Sequence, residues 1–265
     1  MKKSALYEAF HDKERDLRFF AGDNSHTSPH FHRCIEILYI TDGKLLGEVD
    51  GESFFAEKDD IIFVRPCGVH SLTPYPAYKN FVLIIKSAYA DDFASVLEKE
   101  TLPPLLSDKK FNRTILPDLK RLKNPAEQEN FLVAKGLIDI VMGKFLMRYK
   151  RLPVVTTPNL SMIINVLNYI DEHFAEPITL DSISSVFGYN KYYFSRLFNK
   201  YIGETLNSYI NNVRINNIIA RGKKQENMNL SQLVFDCGFD SMTTFYRSYS
   251  RRYDKPPTEV IHSQD

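Results

Sequence analysis

Two different periodicities divide the chain. From Cys34 to about Lys86, short runs rich in branched and aromatic residues (CIEILYIT, KLLGEV, ESFFA, IIFVR, VHSLT, NFVLIIK) are separated by Asp42-Gly43, Asp50-Gly51, Glu57-Lys58-Asp59-Asp60 and Pro66-Cys67-Gly68. Such runs with Asp-Gly between them predict antiparallel strands in a small barrel or sandwich. From Ala88 onward apolar residues recur at spacings of three and four, which predicts helices. ADDFASVLE and PDLKRLKN are two candidates, and Pro125 to Lys150 reads as one long helix. In it Phe131, Leu132, Lys135, Ile138, Val141, Met142, Phe145 and Leu146 form a stripe broad enough for the barrel and a second copy of the helix. The basic stretch from Arg148 to Asn159 has two prolines and no periodicity, so residues 151–159 are expected to be a linker between domains 1–150 and 160–265.

Beyond a helix from Leu160 ended by Glu176-Pro177, one pattern occurs twice, from Leu180 to Ile210 and from Leu230 to Ile261. Leu180 matches Leu230 and Gly188 matches Gly238; after one inserted residue Phe194, Arg196 and Phe198 match Phe245, Arg247 and Tyr249. Each copy is a short apolar helix, a Gly-aromatic turn and a second helix opened by a polar residue, the sequence form of a helix-turn-helix.

The second helix of each copy has two faces. Phe194, Leu197, Phe198 and Tyr201 share one at i, i+3, i+4 and i+7, a core-facing pattern. Tyr192, Ser195, Arg196 and Asn199 share another, and Lys191 and Lys200 bracket the helix. In the second copy Thr243, Tyr246, Arg247 and Ser250 face away from Phe245 and Tyr249, with Met242 near the start and Arg251 and Arg252 beyond. These are groups that hydrogen-bond base edges and phosphates. A solvated helix surface is the plainer reading of either face alone; matching arginines in two copies argue against it.

Charge adds a restriction. The chain has 34 Lys and Arg against 33 Asp and Glu, so net charge gives no sign of nucleic-acid binding. Affinity for DNA is expected to rest on specific contacts or a second protomer more than on phosphate attraction. Positive charge is local instead, with no acid between Ser241 and Tyr253. Three scattered cysteines, no apolar run after Met1 and no long apolar window lead us to expect reduced thiols, a cytoplasmic location and no membrane span.

The repeated motifs resemble the DNA-binding module of the AraC/XylS family of bacterial transcription regulators: Gly188-Tyr189 with FSRLFNK, then Gly238-Phe239 with Phe245, Arg247, Tyr249 and Pro257. The resemblance implies two recognition helices in successive major grooves, joined by a helix around Ser208 to Ala220 that includes Arg214. It places base contacts on Tyr192, Ser195, Arg196, Met242, Thr243 and Arg247. With the faces above, the expected DNA-contacting set is Tyr192, Ser195, Arg196, Asn199, Lys200, Met242, Thr243, Tyr246, Arg247 and Arg251. The chain departs from the family at Ser184 and Val234, where alanine is usual, at Val260-Ile261, and at Arg221-Gly222-Lys223-Lys224, where the joining helix normally stays apolar.

The first half holds His30-x-His32-x3-Glu36-x6-Gly43 and Pro66-x-Gly68-x-His70. These resemble the two signature motifs of the cupin barrel, the usual sensory half of AraC-type regulators; Asp60 stands where glycine is common, and His70 comes one residue early. Residues 30, 32, 34 and 36 share parity, so a regular strand projects them to one side. His30, His32 and Glu36 are then expected to line a pocket with Cys34, closed by His70. They form a candidate divalent-metal set, or else hydrogen-bond an organic effector. Tyr39, Phe54, Phe55, Phe63 and Phe81 are stacking candidates or simply core.

The expected protein is a multidomain α+β regulator. A cupin-like antiparallel β-barrel with C-terminal helices precedes an all-α double helix-turn-helix domain. Its expected partners are promoter DNA, a small-molecule effector (a sugar by family habit), RNA polymerase and a second copy of itself; its expected mode is activation or repression without catalysis. The rival is a metal-dependent cupin enzyme, or a metal- or redox-sensing regulator, using His30, His32, Glu36 and His70. A third reading has the barrel bind a partner protein.

Overall fold

The computed structural model describes residues 5–8, 17–86, 99–223 and 229–262, together with residues 89, 90, 93, 96 and 97. The chain forms two compact units, Met1–Thr156 and Thr157–Asp265.

The first unit is built on an eight-stranded sheet: β1 (Leu6–Tyr7), β2 (Leu17–Asp23), β3 (Thr27–Phe31), β4 (Ile35–Val49), β5 (Glu52–Glu57), β6 (Ile61–Val64), β7 (His70–Ile85) and β9 (Leu105–Leu106). The order runs β1-β3-β7-β4-β6-β9, with β2 also on β7 and β5 also on β4. Every pair is antiparallel except β1 with β3, which is parallel, so the sheet is mixed rather than wholly antiparallel as expected.

Two pairs of runs expected as separate strands are continuous. CIEILYIT and KLLGEV join into β4, and VHSLT and NFVLIIK join into β7. Asp42-Gly43 is instead an irregularity inside β4, where the register against β7 shifts on either side. Gly43 has φ +72°, and a Cβ there would lie 2.2 Å from the Ala77 carbonyl oxygen, so the bend needs glycine. Asp50-Gly51 does turn: both φ values are positive, 50° and 88°, as a two-residue hairpin turn requires.

Strand alternation sorts β4 into two cores. Ile35, Ile37 and Tyr39 face the helices and pack with Ile115, Leu137, Val141 and Phe145. Cys34, Leu38 and Ile40 face inward with Leu45, Val49, Ala56, Leu72, Val82 and Ile84. Residues from both halves of β4 and β7 meet in that inner cluster, so the sheet curls over its own face.

The helices of this unit also depart from expectation. The described residues between 89 and 99 are helical, while Asp91, Asp92, Ala94, Ser95 and Glu98 of the first candidate lie outside the described residues. Helix α1 (Lys109–Arg121) begins eight residues before Pro117 and carries that proline inside it; Asp108 caps its start, accepting from Phe111 N at 3.0 Å. The expected long helix is two, α2 (Pro125–Glu129) and α3 (Phe131–Arg148), because Asn130 turns its side chain to Val133 N and caps a new start. Of the apolar stripe, Ile138, Val141, Met142 and Phe145 are spent inside the unit. The expected linker is partly structured: β10 (Leu152–Pro153) pairs with β8 (Glu100–Thr101), and Pro158 already opens the next helix.

The second unit is all helical: α4 (Pro158–His173), α5 (Leu180–Phe187), α6 (Lys191–Ile202), α7 (Leu206–Gly222), α8 (Leu230–Asp236), α9 (Met242–Tyr249) and α10 (Pro257–His262). Helix α7 continues through Arg221 and Gly222, and Lys224 lies outside the described residues. It contacts α4, α6, α8, α9 and α10. Tyr209 near its start packs edge-on to Phe198, whereas Ile215 and Ile218 lie in a cluster with Leu233, Val234, Phe239, Phe245, Tyr249 and Ile261. One helix therefore serves both cores. The apolar Ile261 that departs from the family pattern is part of the second.

Candidate nucleic-acid interface and ligand site

Each copy is punctuated as its sequence dictates. Thr179 and Ser182 cap α5 reciprocally, each side chain reaching the other's backbone N–H, and Gly188 ends it in the left-handed region at φ +69°. Asn190 then accepts from Tyr192 N and Tyr193 N to start α6. In the second copy Asn229 caps α8, Gly238 turns at φ +90°, and Ser241 accepts from Thr244 N to start α9. The caps fix where each second helix begins and hence which side chains face out.

In α6, Phe194, Leu197, Phe198 and Ile202 are buried, while Tyr192, Arg196, Asn199 and Lys200 are exposed and Ser195 is half-buried. Tyr192 is 71% exposed. Tyr201, expected inward, is half-buried, and Lys191 is paired with Asp181 at 3.0 Å, so its charge is partly neutralised. In α9, Phe245 and Tyr249 are buried, and Thr243, Tyr246 and Arg247 are exposed. Met242, named with the base-contacting set, is half-buried and packs against the second core, while Ser250 is exposed with the other three. Arg251 lies past the end of α9 and is exposed. Each helix thus presents an exposed arginine at matching register, with a tyrosine and smaller polar groups beside it.

The first unit brings together His30, His32, Glu36 and His70, all buried, with one ligand atom of each within 4.8 Å of the others. Shared strand parity is not the reason. His30 is on β3, His32 lies in the break between strands, Glu36 is on β4 and His70 on β7. The pairing of His30 with His70, and of β4 with β7, assembles them. Cys34 is buried in the inner apolar cluster instead of joining the four. Among the expected stacking residues, Tyr39 and Phe63 are core, Phe81 and Phe54 pack partly against it, and Phe55 is exposed beside Tyr75.

Glu36 Oε2 is 2.9 Å from His32 Nε2 and 3.1 Å from His70 Nε2. Burial pushes the Glu36 carboxyl up, but the hydrogen bonds and charge of the two histidines outweigh it and hold the group well below the usual carboxylate range. Burial alone lowers His70, yet the Glu36 bond and charge raise it above an ordinary imidazole. His30 is lowered by burial and by His70. A fifth group was not legible in the sequence: Glu8 Oε2 stands 3.9 Å from His30 Nε2. The parallel pairing of Leu6 with His30 carries it there, and no local motif announces that contact. This donor set can hydrogen-bond a polar ligand or coordinate a cation.

Two family models match the chain: a helix-turn-helix domain over residues 183–263 and an AraC-like ligand binding domain over residues 17–138. The regulatory protein SoxS of Escherichia coli is 29% identical over 101 residues, covering 38% of this chain and 94% of SoxS. The multiple antibiotic resistance protein MarA of Salmonella typhimurium is 30% identical over 93 residues, covering 35% of this chain and 72% of MarA. Among solved structures, ToxT of Vibrio cholerae with a bound unsaturated fatty acid aligns over 94% of this chain and 96% of its own, at 13% identity and a TM-score of 0.44. The two outward arginine-bearing helices and the two matching domains agree, and the chain belongs to the AraC/XylS family of transcription regulators, a DNA-binding protein with its own ligand-binding domain.

Proposed function

We propose that α6 and α9 enter successive major grooves of promoter DNA, with Arg196 and Arg247 reading bases. Tyr192, Ser195, Asn199, Thr243 and Tyr246 contact bases or backbone around them, Met242 contributes from the helix start, and Lys200 and Arg251 hold phosphates. The observation that carries this reading is the matched, capped and exposed placement of the two arginines on helices whose other faces are buried. An arginine fork on guanine discriminates by about 1–3 kcal/mol. The test is a footprint on a fragment selected by the chain from random sequence. Arg196→Ala and Arg247→Ala each erase protection over a different half-site, and unchanged footprints for both overturn the assignment.

The protein works in the cytoplasm, a reading supported by Cys34, Cys67 and Cys237 being buried as thiols. A small-molecule effector in the first unit shifts the population of DNA-competent chains, and the bound protein recruits or blocks RNA polymerase without chemistry of its own. It acts as a homodimer through the outer face of α3. That face carries Leu132, Ile140 and Met147, exposed at 78%, 48% and 91%. Gly136 and Gly143 lie between them with open space where a Cβ would be, so a second helix can approach closely.

A further inference from the structure

We propose that the buried cluster of the first unit binds one divalent transition-metal cation, held by Nε2 of His30, His32 and His70 and by a carboxylate oxygen of Glu36. This rests on the reading of that unit as the ligand-binding half and names the class of its ligand.

The hydrogen bonds decide the chemistry. Nδ1 of His30 lies 2.8 Å from the Ser28 carbonyl oxygen, Nδ1 of His32 3.1 Å from that of Cys34, and Nδ1 of His70 3.0 Å from that of Gly68. A carbonyl oxygen only accepts, so each Nδ1 carries the proton and donates it. In a neutral ring the lone pair is then on Nε2, the nitrogen that points into the cluster. Two of these nitrogens meet the same oxygen of Glu36, at 2.9 and 3.1 Å. Lone pairs facing a carboxylate repel. The alternative is two imidazolium ions side by side, their rings 5.1 Å apart, with the His30 ring 4.0 Å from His70. Several buried positive charges against one buried carboxylate are costly. One divalent cation among the lone pairs removes both problems, and the backbone carbonyls become the supports that metal-bound histidines commonly have.

Spacing and charge agree. Metal–ligand bonds of about 2.0–2.2 Å place neighbouring ligands roughly 3 Å apart at right angles, close to the two observed separations. A dication beside Glu36 and nearby Glu8 leaves the site near neutrality. Three imidazoles and a carboxylate suit zinc, iron, cobalt, nickel or manganese rather than calcium or magnesium.

The test uses the full chain, purified without an affinity tag, stripped with chelator and titrated with Zn²⁺ by calorimetry and with Co²⁺ by visible absorption. The expected result is one equivalent per chain, a Co²⁺ spectrum abolished by one equivalent of Zn²⁺, and a raised melting temperature. Glu36→Gln and His70→Gln, checked for folding by circular dichroism, weaken uptake by more than the roughly 100-fold that a lost supporting contact costs. No uptake by folded wild-type chain overturns the site, as does full uptake by both variants. If the variants do not fold, the wild-type stoichiometry and spectrum decide alone. DNA binding is scored on the same preparations. Intact sequence-specific binding without metal uptake overturns the metal site only, and uptake without such binding overturns the regulator reading only.

Discussion

Arg214, in the middle of α7, donates from Nε to the backbone carbonyl of Phe174 at 2.7 Å. Its Nη2 reaches the carbonyl of Glu176 at 2.8 Å, and its guanidinium lies 5.8 Å from the centre of the Phe239 ring. The side chain is buried, and burial lowers its pKa from the usual arginine value. The loop after α4 and the turn of the second helix-turn-helix are thereby fixed on the helix that joins the two copies. Replacing Arg214 with methionine orphans both carbonyls and is expected to cost about 2–4 kcal/mol, since a charged hydrogen bond contributes about 1.5–3 kcal/mol. Lysine, without the fork, restores only part. Denaturant unfolding of the variants checks this; a methionine variant as stable as the parent refutes it.

The turn glycines of the two copies, equivalent in sequence, should respond differently to alanine. Gly188 has φ +69° and open space around a would-be Cβ, so Gly188→Ala costs about 1–2 kcal/mol for the left-handed backbone alone. At Gly238, φ +90°, the Cβ would lie 2.7 Å from the Ala175 carbonyl oxygen, and that backbone atom must move. Gly238→Ala should therefore be clearly the more damaging in thermal unfolding. Equal losses would show that the Ala175 loop yields freely.

Ser184 departs from the family's usual alanine, and its buried Oγ has no hydrogen-bond partner. An unsatisfied buried hydroxyl costs about 1–3 kcal/mol, so Ser184→Ala should leave stability unchanged or raise it by about 1 kcal/mol. A measured loss above that size would mean the hydroxyl makes a bond in solution.

Bases and phosphates should separate in salt titrations. Arg196→Ala and Arg247→Ala should narrow the gap between selected and random DNA by about 1–3 kcal/mol each. Lys200→Ala and Arg251→Ala should weaken both alike and lower the salt slope by about 1. Affinity ratios at several salt concentrations distinguish these outcomes. A slope unchanged for both lysine and Arg251 variants removes them from the phosphate-contacting set.

Much of the second unit was legible because its determinants are local. Capping residues, turn glycines and apolar spacings of three and four act within a few residues, so the sequence by itself determined two copies of one motif and the outward faces of α6 and α9. Tertiary structure decided the rest. Met242 is drawn toward the second core by neighbours distant in sequence, and Arg214 finds its carbonyls on another loop. Asp42-Gly43 reads locally as a turn, but pairing with β7 on both sides carries the strand through it. The histidine cluster shows the division most plainly. The sequence named His30, His32, Glu36 and His70, but the regular strand that was to align the first three is broken between Phe31 and Ile35. Register between β3, β4 and β7 brings them together, and a parallel strand adds Glu8. Pairing between distant strands is cooperative over the whole sheet, and no short window of residues encodes it.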